Sequence, residues 1–290
     1  IAGARPPFAP PPSATGPIPF ADLCFVEGTE DEGLFLYWEI VMRNAYRPAI
    51  TSAPAFHGTM LDIGANVGLF TAHVLRSSEY AVRRAVCIEP LPKPGSCILP
   101  NITSALGAAP ARVAPRIVAD GDVTVPVIDA VFETDCGINL DLTYVAAGVG
   151  TQGEGLWRDA TPLVAESSRS ATTGEIVAAP LIGDLAAWLA AADLPITYDL
   201  VKVDVEGDEL EVLHALANVA IEVLVVEACA KHARAVESAI CARGLAVHQV
   251  ISPLAPGAHH RVIDPTTSRL LGEVTTAGND VLIVATSPQS

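Results

Sequence analysis

Met60-Leu61-Asp62-Ile63-Gly64-Ala65-Asn66-Val67-Gly68-Leu69-Phe70 reads as a strand, a glycine loop and the start of a helix. Apart from Asp62 the strand is continuously apolar, the pattern of a strand covered on both faces. Gly64 and Gly68 mark a tight turn that lets backbone approach a ligand, and the apolar residues after it recur at helical spacing. About 140 residues further on, Leu200-Val201-Lys202-Val203-Asp204-Val205-Glu206-Gly207-Asp208-Glu209-Leu210-Glu211 gives a second buried strand that delivers an acidic cluster into a helix start. That separation suits two strands of one doubly wound sheet, whose ligands lie beyond the carboxyl ends of the strands.

Working outward, the periodicity predicts a helix over 30–47, strands at 59–63 and 85–89, and helices at 67–76 and 95–106, the last disturbed by Pro100. Residues 108–141, rich in Pro, Val and Asp, read as an inserted loop or hairpin. Strands follow at 142–147 and 175–182, and Asp184 caps a helix to 192. Further strands are expected at 198–204 and 222–227, with helices at 208–216 and 232–243. The last strands, 246–251 and 280–285, lack a helical crossover and should pair antiparallel at the sheet edge, with His259 and His260 on a long loop between them. The fold class is therefore α/β, a doubly wound and mostly parallel seven-stranded sheet with an antiparallel edge strand. Prolines 6, 7, 10, 11, 12, 17 and 19 mark residues 1–29 as an N-terminal arm, leaving 30–290 as the domain, with an insertion at about 108–141.

Half of the 290 residues are apolar, enough for a full core. Seventeen Lys and Arg against 33 Asp and Glu leave a net charge of −16, which repels phosphate backbones and argues against nucleic acid. A neutral or cationic small molecule or a sugar fits better. No apolar run is long enough to span a bilayer. The chain opens on Ile1 rather than Met, so an upstream segment is expected. The arm suits a secretory-pathway lumen and the cytoplasm equally. The six cysteines show no metal-ligand spacing; Cys24 and Cys136 are candidates for disulfides whose pairing stays open. A single sequon stands at Asn101-Ile102-Thr103.

The loop chemistry narrows the ligand. A dinucleotide loop spaces its glycines G-x-G-x-x-G to hold a pyrophosphate. Here the spacing is G-x-x-x-G, preceded by Asp62, which repels phosphate and can accept from a cationic aminoacyl group. Glu89 ends the second strand, where a carboxylate can take both ribose hydroxyls. A ribose, a sulfonium and an amino acid without phosphate describe S-adenosylmethionine. On the other segment, Lys202 and Asp204 interrupt a buried strand, at a free-energy cost unless they pair or serve a site. Asp204, Glu206 or Glu227 could receive an acceptor's proton as its oxygen attacks the methyl carbon. The same acids also suit a structural ion pair and a helix N-terminus. Asp204 and Glu227 lack an obvious third ligand, so no metal is expected.

Four stretches carry a resemblance: Asp62-Ile63-Gly64-Ala65-Asn66-Val67-Gly68-Leu69-Phe70, Ile88-Glu89-Pro90-Leu91-Pro92, Val145-Ala146-Ala147-Gly148-Val149-Gly150, and Leu200 to Leu213. In order and spacing, from about Glu39 to Ala285, the chain resembles the FkbM family of S-adenosylmethionine-dependent methyltransferases. The resemblance implies a class I methyltransferase fold and O-methylation of a sugar or natural-product hydroxyl. It implies cofactor binding by Asp62, Gly64, Asn66, Gly68 and Glu89, and catalysis at Lys202, Asp204 and Glu206. Pro100, the stretch 108–141 and the loop 252–279 depart from the family pattern, and the last two could form a lid or an acceptor pocket. The alternatives are a degenerate methyltransferase-fold domain serving as a structural or assembly subunit and, disfavoured by its glycine spacing, a nicotinamide oxidoreductase. Protein partners are not legible.

Overall fold

The computed structural model describes residues 17–47, 58–77, 82–121, 123–133, 139–150, 156–158, 176–205, 207–251, 256–276 and 280–288. Helix α1 (Glu30–Leu36) opens on Glu30, Asp31 and Glu32, which suit its positive end, and widens into a π turn over Tyr37–Met42. The quoted stretch forms β1 (Thr59–Ile63) and α2 (Leu69–Arg76), followed by β2 (Arg84–Ile88) and α3 (Pro92–Leu106). Next come β3 (Arg112–Asp120), β4 (Val123–Glu133) and β5 (Asn139–Val145), then the short strands β6 (Gly148–Val149), β7 (Leu156–Arg158), β8 (Ile176–Ala178) and β9 (Leu181–Ile182). The second half runs α4 (Leu185–Ala191), β10 (Thr197–Val203), α5 (Glu209–Ala215), β11 (Ala220–Cys229), α6 (Ala233–Ala242) and β12 (Ala246–Ile251). A hairpin of β13 (His259–Ile263) and β14 (Leu270–Thr275) precedes β15 (Asp280–Thr286).

The main sheet has the order β12-β15-β11-β10-β1-β2-β5-β4-β3. Strands β5, β2, β1, β10 and β11 are parallel. The chain leaves β1 for β2 on one side and returns to β10 on the other, so the switch point lies at the carboxyl ends of β1, β2 and β10. Because side chains alternate along a strand, each face has its own core. Met60, Ala85, Cys87, Leu200 and Val225 pack under α1, α2 and α3, against Tyr37, Phe70 and Ile98. Leu61, Ile63, Val86, Val201 and Val203 pack under α4, α5 and α6, against Trp188, Leu213 and Ile240. Asp62 and Lys202, out of phase with the second set, fall on the first face.

The α/β, doubly wound and mostly parallel sheet is as expected, with differences in its extent. Residues 108–141 contribute the hairpin β3–β4, turned at Gly121 (φ +59°), and β4 pairs antiparallel with the outer edge of β5. This adds two strands to the expected seven. Pro115 is tolerated because β3 is an edge strand. Strands β12 and β15 do pair antiparallel, but β15 also pairs with β11, so the antiparallel strand sits one place in from the edge. Pro100 does not interrupt α3, which runs through it for 15 residues. His259 and His260, expected on a loop, lie on β13, and the His260 ring stacks on Trp38 with centroids 4.5 Å apart. The expected strand 175–182 is split into β8 and β9.

The boundary of the arm also moves. Ile18 is fully buried and its carbonyl accepts the Tyr37 hydroxyl at 2.8 Å. Phe20 stacks on Phe25 (5.1 Å) and meets Tyr37 edge-on (5.2 Å). Residues 17–29 thus belong to the body of the fold; their prolines were the misleading signal. Residues 1–16 lie outside the described set. The sequon asparagine, Asn101, is wholly buried on α3 and its amide is engaged with backbone, so it offers no glycosylation site in the folded chain.

Candidate active site

The glycine loop closes on the end of β2. Gly64 and Ala65 N–H both donate to the Ile88 carbonyl at 3.0 Å, and Gly68 N–H donates to Ala65 O at 2.7 Å. Asn66, in the left-handed region at φ +49°, turns its N–H to Glu89 Oε2 at 2.8 Å. Leu91 N–H donates to Glu89 Oε1 at 2.9 Å, so each oxygen of this 5% exposed carboxylate holds one backbone amide. Burial pushes Glu89 up to about 7 against the pull of Leu91 and Asn66. The Asn66 side chain donates to Glu32 Oε1 of α1 at 3.3 Å.

The two glycines serve packing. A Cβ on Gly64 (φ +74°) would lie 1.7 Å from the Asp204 carbonyl oxygen, and one on Gly68 (φ +76°) 3.1 Å from Ile98 Cα. Gly64 lets the loops after β1 and β10 touch, and Asp204 N–H donates to Ile63 O there at 3.0 Å. Gly68 lets α2 start against α3.

Lys202 joins both loops from below. Its ammonium donates to Gly64 O at 3.1 Å and is ion-paired with Asp62 Oδ1 at 3.3 Å and Asp204 Oδ2 at 3.2 Å. Phe70 lies beneath it at 5.7 Å. Burial favours loss of the proton, but Asp204, Asp62 and Glu227 outweigh it and hold the ammonium above its usual range. Thr71 Oγ1 on α2 donates to the other Asp62 oxygen at 2.8 Å. Asp62 is fully buried and Asp204 keeps 26% of its side chain exposed, so of this trio Asp204 is the member open to an acceptor.

Further acids surround Asp204. Glu227, at the end of β11, accepts a hydrogen bond from the buried Tyr46 hydroxyl. Burial raises Glu227 well above the ordinary carboxylate range, and Asp204 and Glu39 push it the same way. Glu39 is raised by burial and then by Asp204, and Arg43 one turn on, at 3.8 Å, draws it back. Asp280, at the start of β15, is raised by burial and by Asp204. Glu227, Glu39 and Asp280 thus hold protons more readily than free carboxylates do. Among the described residues no group of three or more His, Cys, Asp and Glu is placed to hold a metal ion.

Eight of the nine sequence-derived site residues meet at the switch point: Asp62, Gly64, Asn66, Gly68, Glu89, Lys202, Asp204 and Glu227. Glu206 lies outside the described residues. Glu32, Glu39 and Tyr46 join them from the N-terminal region and were missed. The available signal was Glu39, an acid inside the apolar run Tyr37-Trp38-Glu39-Ile40-Val41.

Neither a family model nor a curated protein matches the chain. Solved structures of similar fold include the precorrin-6y C5,15-methyltransferase of Geobacter metallireducens, at 12% identity and TM-score 0.44, covering 84% of this chain and 88% of that one. The ribosomal protein L11 methylase of Lactobacillus delbrueckii subsp. bulgaricus aligns at 8% identity and TM-score 0.43, covering 92% and 82%. Methyltransferase FkbM from Methylobacillus flagellatus aligns at 12% identity and TM-score 0.40, covering 91% of this chain and 56% of that one. At 8–12% identity and TM-scores of 0.40–0.44, these likenesses say nothing of activity, substrate or cofactor.

Proposed function

We propose that the chain is an S-adenosylmethionine-dependent methyltransferase that methylates a hydroxyl of a sugar or other small molecule. One observation carries the cofactor reading. The amides of Gly64, Ala65, Asn66 and Gly68 are all engaged within the protein, and the acids Asp62, Glu89 and Asp204 stand around them. With four of its amides engaged and three acids around it, the loop sets a field that opposes a pyrophosphate. A ligand with a ribose, a positive charge and no phosphate fits. Each Glu89 oxygen holds only one amide and retains capacity for a ribose hydroxyl. Gly64, Gly68 and Asn66 shape the loop, and Asp62, held by Lys202 and Thr71, fixes its base.

When bound, S-adenosylmethionine supplies the electrophilic methyl group. The chain's own work is to orient the acceptor and take its proton. Asp204 is partly open and steadied by Lys202, and Glu227 beside it is steadied by Tyr46. A hydroxyl acceptor needs such a base because its proton must leave as the oxygen attacks. Lys202, buried and ion-paired with both Asp62 and Asp204, acts by positioning Asp204.

Calorimetric titration with S-adenosylmethionine, S-adenosylhomocysteine and NAD tests the reading. Binding of the first two in the micromolar range, roughly −8 kcal/mol, without binding of NAD is expected. NAD binding would restore the oxidoreductase reading. Absence of all three would leave a structural subunit.

A further inference from the structure

Cys24 and Cys97 face each other where the N-terminal segment crosses α3. Their sulfurs are 3.0 Å apart, about 1 Å more than the ~2.05 Å of a disulfide. The sulfurs are brought together by groups other than themselves. The Asn101 side chain, one turn along α3 from Cys97, accepts from Cys24 N–H at 2.6 Å and donates to Cys24 O at 2.9 Å. This amide clamp fixes the main chain of Cys24, while Phe20, Phe25 and Ile18 anchor the segment before and after it. Hydrogen bonding between two thiols is weak, so it gives little reason for a cysteine on both sides. The other described cysteines are placed differently: Cys87 contacts Thr71 in the sheet core, Cys229 ends β11 and Cys241 is exposed.

We propose that Cys24 and Cys97 form an intramolecular disulfide that fastens the N-terminal segment to α3. The bond closes a loop between positions 73 apart that contains α1, β1, the glycine loop and α2. Asn101 also donates to Val67 O at 2.8 Å, so the fastened segment lies directly behind the glycine loop. The oxidant is a small disulfide of the glutathione class. Half-buried Cys24, as thiolate, attacks one sulfur and releases one small thiol. Burial pushes the Cys97 thiol up to about 12, so Cys97 acts second. After losing its proton it attacks Cys24 Sγ and expels the other small thiol. Two cysteines are oxidised by two electrons, one small disulfide is reduced to two thiols, and closure quickens as pH rises.

The test equilibrates the purified full chain in buffers of reduced and oxidised glutathione, quenches with acid, alkylates free thiols and digests with pepsin. The expected result is a peptide pair joining Cys24 to Cys97, lost on phosphine reduction. Reduction should lower the Tm of the wild type by ~5–15 °C. The Tm of Cys24→Ser or Cys97→Ser should not respond to reduction. Alkylation of both thiols at every glutathione ratio would overturn the proposal. So would a lasting glutathione adduct on Cys24, or its linkage to another cysteine. The wild-type mapping decides the matter even where a serine variant fails to fold. None of these readouts depends on the methyltransferase reading.

Discussion

Glu89 is the residue on which the cofactor reading turns, because its charge state and its role are linked. A carboxylate accepts from ribose hydroxyls; a protonated acid loses half of that capacity. With Glu89 pushed up to about 7 by burial, ligand hydroxyls that donate to it favour the ionised form. The sign follows: S-adenosylhomocysteine should bind more weakly as pH falls through 7, by about tenfold between pH 8 and pH 6. Glu89→Gln should lose about 1–3 kcal/mol of binding and flatten that slope, since its amide faces backbone donors and does not titrate. Calorimetry across that pH range measures both, and an unchanged slope in the variant would remove Glu89 from the ribose. Much of this neighbourhood was legible from sequence, because Asp62 and Lys202 interrupt apolar runs and Glu89 and Asp204 end them. Glu32, Glu39 and Tyr46 were not. They come from a region whose helical pattern says that it packs, while its position over the switch point depends on tertiary contacts such as Glu32 with Asn66.

Among the elements, the contact between the loops after β1 and β10 is the most demanding joint. Gly64→Ala must bear a left-handed φ, roughly 1–2 kcal/mol, and a methyl group set into the Asp204 carbonyl. We expect it to destabilise by ~3 kcal/mol or more in urea unfolding, the range in which backbone displacement is forced. Gly244→Ala, at φ +80° with nothing within 4 Å, should cost only the strain of about 1 kcal/mol. Equal costs would mean that the loops separate freely. The alternation of strands and helices was readable because buried parallel strands write long apolar runs. The β3–β4 hairpin and the β13–β14 hairpin were harder to read. Their strands are partly exposed, carry prolines or polar residues, and take their place from the open edge of β5 or from contact with α1, such as Gly272 on Leu34. Pro100 misled for a different reason. A proline deep in α3 is disfavoured locally, yet Ile98, Ile102 and Ala105 bury the helix well enough to carry the chain through it.

For the whole molecule, the net charge of −16 opposes compaction and leaves its mark on salt dependence. Screening shortens from a Debye length of about 30 Å at ~0.01 M to about 8 Å at ~0.15 M, so like charges on one surface cease to feel each other. The urea midpoint should rise as NaCl is raised over that range. A falling midpoint would show that local ion pairs such as Arg116–Asp129 outweigh the general repulsion. The placing of β15 has a consequence for how the chain matures. Among the described residues, strand β12 reaches the sheet only through β15, and α6 rests on both and on β11. During synthesis β12 emerges with no partner strand to receive it, and the hydrogen-bonding edge of β11 stays open until residues 280–286 arrive. Assembly of that half of the sheet therefore waits for its last strand, and a nascent chain halted before it would present a bare edge to whatever lies nearby.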